Sequence, residues 1–230
     1  LGLVMLAKPH FLILAPLLVL HGKWKTLAAA LVALLTGIAL PTIVLGWAGN
    51  LMVHAEWVSE MAKHNAGLIY TGGDDHRAVN TIYSFVHRTL LKDMFAPSNT
   101  EAYALLVAIA CAVGCFVWWN KKRRVQEAFS VEYFVLVALV PSLTLTDTEH
   151  FLLAMPLVTY IVHRLVPHAS PRWLALVAVP LLFLYGGNFE DALGPYSDVL
   201  IRYGLLGVGS FALVLLSAIL WSRSNQHPIP

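Results

Sequence analysis

Three groups of ionisable side chains stand at the rims of apolar runs, where a charge is costly unless a cavity, a ligand or a partner uses it. The first is Lys8-Pro9-His10. Pro9 stops one turn and opens the next, so a cation and an imidazole sit beside new helix N-terminal amides, a donor set suited to an anion such as a phosphate. The competing reading is that Lys8 snorkels to the headgroups while His10 packs. The second group is Asp147-Thr148-Glu149-His150, directly before the apolar run Phe151-Leu152-Leu153-Ala154-Met155. Two carboxylates and an imidazole this close can hold sugar hydroxyls, assist proton transfer or bind a divalent ion. A solvated turn with an N-capping acid is the simpler alternative. The third pair, Glu190 and Asp191, follows Gly186-Gly187 and reads as a solvated loop that stays eligible for substrate contact. Two further features carry less chemistry. Lys121-Lys122-Arg123-Arg124 reads as a topology determinant meeting anionic lipid. Cys111 and Cys115, one helical turn apart in an apolar run, read as small packing residues.

The elements that must position these groups follow from composition. Of 230 residues, 58% are hydrophobic and 12% charged, with a mean hydropathy of +0.70. Soluble domains carry about 25% charge and about 45 to 50% apolar residues, so a water-soluble globule, a disordered chain and a disulfide scaffold are excluded. The net charge of +2 is too small and too dispersed for a nucleic-acid partner. The expected class is all-α: a polytopic membrane bundle. A crossing takes about 20 mostly apolar residues, and about seven segments qualify: 1–20, 26–47, 101–119, 131–146, 150–166, 172–187 and 200–221. The fourth and fifth are short and carry Pro141 and Pro156, which leaves a broken hairpin as an alternative to two crossings. Residue 1 enters within an apolar segment, with no basic leader before it, so the chain is expected to be the C-terminal part of a longer protein.

Loop charges give an independent test of this count. His21 to Lys25, Lys121 to Arg124, Arg164 to Arg172 and Arg223 are basic and predicted cytoplasmic; the connections holding Asp147 and Glu149, then Glu190, Asp191 and Asp198, face outward. Trp24, Trp47, Trp118, Trp119, Trp173 and Trp221 fall near segment ends, where an indole prefers the headgroup level. The outward stretch 48–100 predicts two amphipathic helices on the membrane surface. Val53, Trp57, Val58, Met61 and Ala62 share one apolar face, and Val79, Ile82, Tyr83, Val86 and Leu90 the other, with Glu56, Glu60, Lys63, Asn80 and Arg88 among the polar positions. A small helical cap without a ligand is the alternative. No internal repeat is visible. The chain is one transmembrane domain with a long outer loop, and Lys8, His10, Asp147, Glu149, His150, Glu190 and Asp191 all fall toward the outer face.

The chain resembles the polyprenyl-phosphate-sugar-dependent glycosyltransferases of family 87, within the GT-C superfamily. The resemblance rests on Lys8-Pro9-His10 heading an apolar helix, the short basic turn ending in Lys23-Trp24-Lys25, the long outer loop, and the stretch from Ser142 to His150 leading into an apolar helix with Pro156. It implies transfer of a mannose-like or arabinofuranosyl unit from a polyprenyl-phosphate donor to a glycan or glycolipid acceptor on the extracytoplasmic side of the cell membrane. By the same resemblance Lys8, His10 and His150 would bind the donor phosphate, and Asp147 and Glu149 would orient sugar or acceptor hydroxyls. The catalytic base would be an acid in the first outer loop, upstream of this sequence. No cofactor and no metal site are implied, and membrane lipids are the remaining partners. Two rivals stand beside this reading. A non-enzymatic carrier or flippase could use the same ionisable residues along a pathway, although carriers tend to show repeats and midplane polar groups. A structural subunit could leave the chemistry to a partner.

Overall fold

Apolar runs punctuated by Pro and Gly fold as helices that stop or bend at those residues. The computed structural model describes residues 2, 9–66, 80–86, 99–123, 127–143, 148–165, 172–186 and 193–224. Every regular element among them is helical. The chain forms two compact units, Leu1–Gly67 and Leu68–Pro230.

In the first unit a 3-10 turn, Pro9–Ile13, leads into α1, Leu14–Leu20. Leu14, Leu17 and Leu18 recur at helical spacing and are buried. Gly22 at φ +64 supplies the left-handed step that reverses the chain, and α2, Trp24–Ala39, packs back on α1. Leu40 and Pro41 then break the run, and α3, Thr42–Ala66, leaves α2 at 90°. Asn50 ties the corner: its Nδ2 donates to the Ile38 carbonyl at 2.9 Å and to Thr42 Oγ1 at 2.8 Å. Gly46, at φ 66 and ψ 171, places a second kink within α3 in backbone space open essentially to glycine alone. The predicted segment 26–47 is therefore cut near Pro41 and again at Gly46, and the helix that follows Gly46 runs on into the stretch expected to be a separate surface helix. Along that helix Val53, Trp57 and Val58 are exposed together with Glu56 and Glu60.

The second unit comprises α4 (Ile82–Phe85), α5 (Asn99–Lys122), α6 (Ala128–Leu143), a 3-10 segment (Thr148–Ala154), α7 (Met155–Tyr160), a π-helical turn (Ile161–Leu165), α8 (Trp173–Gly186), a 3-10 turn (Gly194–Tyr196), α9 (Ser197–Arg202) and α10 (Leu205–Ser224). Its core forms where α6 and α10 pack on each other and gather the 3-10 segment, α7, the π turn and α8 around them. Val131, Val135, Ala138 and Leu139 of α6 meet Leu213, Leu216 and Leu220 of α10, with Phe151, Leu157, Ile161 and Ala178 closing the cluster. Apolar burial of this kind contributes about 25 cal/mol per Å².

Two helices, α5 and α10, are long and apolar enough to cross a membrane, and a third span results if α2 and α3 count as one broken crossing. Half of the α10 span is buried inside the chain, against 11% of the α5 span. The helix α6 and the stretch His150–His163 are apolar but shorter. The seven crossings expected from hydropathy thus reduce, among the described residues, to two or three that meet the length. Prolines and changes of helix type interrupt the other runs. The two cysteines expected to pack are exposed on α5. Trp24, Trp47, Trp118 and Trp119 are exposed as an interfacial belt requires, whereas Trp221 is buried.

Candidate functional site

The second unit has two polar ends separated by an apolar layer. At the first end, Asn120 of α5 bridges two neighbours: its Nδ2 donates to Glu132 Oε1 at 2.9 Å, and Trp221 Nε1 donates to its Oδ1 at 3.2 Å. All three residues are buried. The Trp221 ring lies 6.1 Å from Tyr160, which lies 6.2 Å from Phe134. A cavity of about 480 Å³ opens here, lined by Glu127, Phe134, Pro156, Thr159, Tyr160 and His163. Glu127 is the one non-glycine residue with positive φ among the described residues, at 60°. Exposed cations mark the same end: Lys122 stacks over Trp118 at 5.2 Å and Arg123 over Trp119 at 4.2 Å.

The position of the second end follows from helix geometry. Because Trp221, Tyr160 and Glu132 meet at one level, α6 and α10 run antiparallel through their shared core. From Glu132 to Ser142, and from Trp221 back to Ser210, each helix rises about 15 to 17 Å at 1.5 Å per residue. Ser142 and Ser210 therefore reach the same level at the opposite end. The chain from Tyr160 back through α7 and the 3-10 segment covers a similar rise and brings His150 there too. Two contacts anchor α4 at this end. The Gly207 backbone lies so close to Asn80 that a Cβ on Gly207 would overlap the Asn80 carbonyl oxygen. Tyr83 Oη donates to Glu101 Oε2 at 3.1 Å, at the start of α5. Thr81 caps α4 by accepting from the Ser84 amide at 3.1 Å.

This end is rich in buried polar atoms. Asn80 is 4% exposed, Ser84 0%, Ser142 1% and Ser210 1%. Asn80 Oδ1 and the hydroxyls of Ser84, Ser142 and Ser210 have no hydrogen-bond partner. A buried polar atom left unpaired costs about 1 to 3 kcal/mol, so four at one end call for an explanation. The stretch Val79 to Leu90 was expected on the membrane surface with Asn80 facing water. Instead the described part, α4 and the residues just before it, is buried against α6 and α10.

Of the residues singled out by sequence, His150 is half-buried in the 3-10 segment at this second end. Glu149 belongs to the same segment and His10 to the first unit's 3-10 turn, and their side chains lie outside the described residues. Lys8, Asp147, Glu190 and Asp191 also lie outside the described residues, and with them the expected meeting of Lys8 and His150. Sequence reasoning placed Asn80 on a wet helix face and Ser142 at the head of the stretch that ends in His150, and gave a ligand role to none of Asn80, Ser84, Ser142 and Ser210. The available signal was periodicity: Glu132, Val135, Leu139 and Ser142 fall on one face of α6, and Gly207, Ser210, Val214, Ser217 and Trp221 on one face of α10. Among the described residues no three of His, Cys, Asp and Glu gather where they could hold a metal ion. Comparison with protein-family models, with curated proteins and with solved structures gives no match.

Proposed function

We propose that the protein is a multi-pass membrane glycosyltransferase that moves a mannose-like or arabinofuranosyl unit from a polyprenyl-phosphate donor to an extracytoplasmic glycan or glycolipid. The observation that carries this reading is the gathering of His150 with four buried polar side chains at the end of the bundle remote from Lys122 and Arg123. By the positive-inside rule the cationic end is cytoplasmic, which turns the His150 end outward. A polyprenyl chain stays in the bilayer and leaves its phosphate at the interface, so the enzyme must meet it at a helix-bundle end. His150 would neutralise charge that grows on the leaving phosphate, an interaction stronger in the transition state than in the ground state, and this is the role that the resemblance also gives to Lys8 and His10. Asp147 and Glu149 would orient hydroxyls. Displacement by one activated acceptor hydroxyl inverts the anomeric centre and needs no covalent sugar intermediate.

Turnover of radiolabelled polyprenyl-phosphate sugars by the full-length protein tests the reading. His150→Ala is expected to lower transfer at least about tenfold, the scale of losing one charge-stabilising contact, and Glu190→Ala to change it little. Unchanged turnover in the His150 variant removes that end from the site.

A further inference from the structure

We propose that Asn80, Ser84, Ser142 and Ser210 form a closed, uncharged subsite for the hydroxyls of the transferred sugar; this rests on the donor reading above. Four observations converge on it. Each of the four side chains is at least nine-tenths buried. Each has an oxygen with no hydrogen-bond partner. They sit on three elements that pack on one another, since α4 touches both α6 and α10 and those two helices touch each other. They also fall at the same end of the bundle, because Ser142 and Ser210 lie about 15 and 17 Å along their helices from the Glu132–Asn120–Trp221 bridge, and Asn80, just before α4, lies against Gly207.

The chemistry of the set selects the ligand class. Three hydroxyls can each donate and accept, and the amide oxygen accepts. No charged group belongs to the set, so it suits neither a metal ion nor a phosphate, both of which need opposite charge when desolvated. It suits a neutral polyol, whose ring hydroxyls each offer one donor and one acceptor. Gly207 explains how the set is brought together: without a Cβ there, the Asn80 backbone seats directly on α10, one turn from Ser210. With His150 at the same end, the donor is held at two poles, its phosphate by His150 and its sugar by this neutral set. The subsite then distinguishes sugar-bearing lipid from the sugar-free lipid phosphate that leaves after transfer, which favours product release.

The test is binding to the full-length protein in nanodiscs, using three probes: polyprenyl monophosphate alone, and the same lipid carrying mannose or arabinofuranose. Wild type is expected to prefer one sugar-bearing lipid by about tenfold or more, the scale of two or three neutral hydrogen bonds. The double variant Ser142→Ala, Ser210→Ala is expected to reduce that preference to less than about threefold, with the affinity for sugar-free lipid unchanged. Ser84→Ala alone should weaken the preference in part. Thermal midpoints at or above wild type are expected, because each substitution removes an unpartnered hydroxyl, and they certify folding. Equal binding of all three probes by wild type, or wild-type preference in the folded variants, overturns the subsite and leaves the donor reading standing. Binding of none of the probes overturns both.

Discussion

Asn120→Ala is expected to destabilise the second unit more than any other conservative change at its cationic end. Asn120 uses both ends of its amide, donating to Glu132 and accepting from Trp221, across three helices. Its removal deletes a bond to a carboxyl group, about 1.5 to 3 kcal/mol, and a neutral bond from the indole, about 0.5 to 1.5 kcal/mol. The side chain is almost fully buried, so a small cavity adds about 1 kcal/mol. The total is about 3 to 5.5 kcal/mol. Glu132→Gln keeps an acceptor for Asn120 Nδ2 and should cost about 1 kcal/mol or less. Trp221→Phe removes only the indole donor and some volume, for about 1 to 2 kcal/mol. Reversible denaturation in one detergent, followed by far-UV circular dichroism, ranks the three. The expected order of cost is Asn120→Ala, then Trp221→Phe, then Glu132→Gln. The double variant Asn120→Ala, Trp221→Phe should cost less than the sum, because the two residues share a bond. An Asn120→Ala cost within 1 kcal/mol of zero, or a Glu132→Gln cost equal to it, refutes the bridge.

Gly207→Ala should destabilise by about 1 to 3 kcal/mol, read by thermal unfolding, because its methyl meets the Asn80 backbone and not a flexible side chain. Gly46→Ala should cost about 1 to 3 kcal/mol for backbone conformation alone, since nothing lies within 4 Å of the added carbon; a cost near zero means the kink relaxes into helix. Asn50→Ala is expected to loosen the α2–α3 corner by about 1 to 3 kcal/mol, seen as faster amide exchange around Ile38 and Thr42. With Cys111 and Cys115 replaced, Asp75→Cys should react with an impermeant thiol reagent from outside and Lys122→Cys only after permeabilisation; the reverse pattern inverts the topology.

How much of this was legible in the sequence depended on the kind of signal. Helical class and the two long spans followed from composition and run length, because an apolar stretch such as Tyr103 to Lys122 has few ways to satisfy its backbone other than as a helix. The corner at Pro41 was less visible, since hydropathy passes smoothly across it while the tertiary amide breaks the hydrogen-bond ladder. Trp221 lies near a helix end as expected, but it is buried against Asn120 and not exposed, because an indole there has two uses and only its neighbours decide between them. The same ambiguity hid α4. Asn80 and Ser84 look like the wet side of an amphipathic helix until Gly207 is seen to admit the backbone itself. His150 was singled out because an ionisable group beside an apolar run stands out, whereas Ser142 and Ser210 are ordinary residues for an apolar helix.

The most direct test is photo-crosslinking of the full-length protein with a polyprenyl monophosphate sugar that carries its photoreactive group on the sugar, followed by mass spectrometry of the adducts. Adducts are expected within residues 142–150 and 207–210 and around Asn80 and Ser84, with competition by unmodified donor. Adducts confined to the cavity between Glu127 and His163 would contradict the account, since that cavity lies at the opposite end of the bundle.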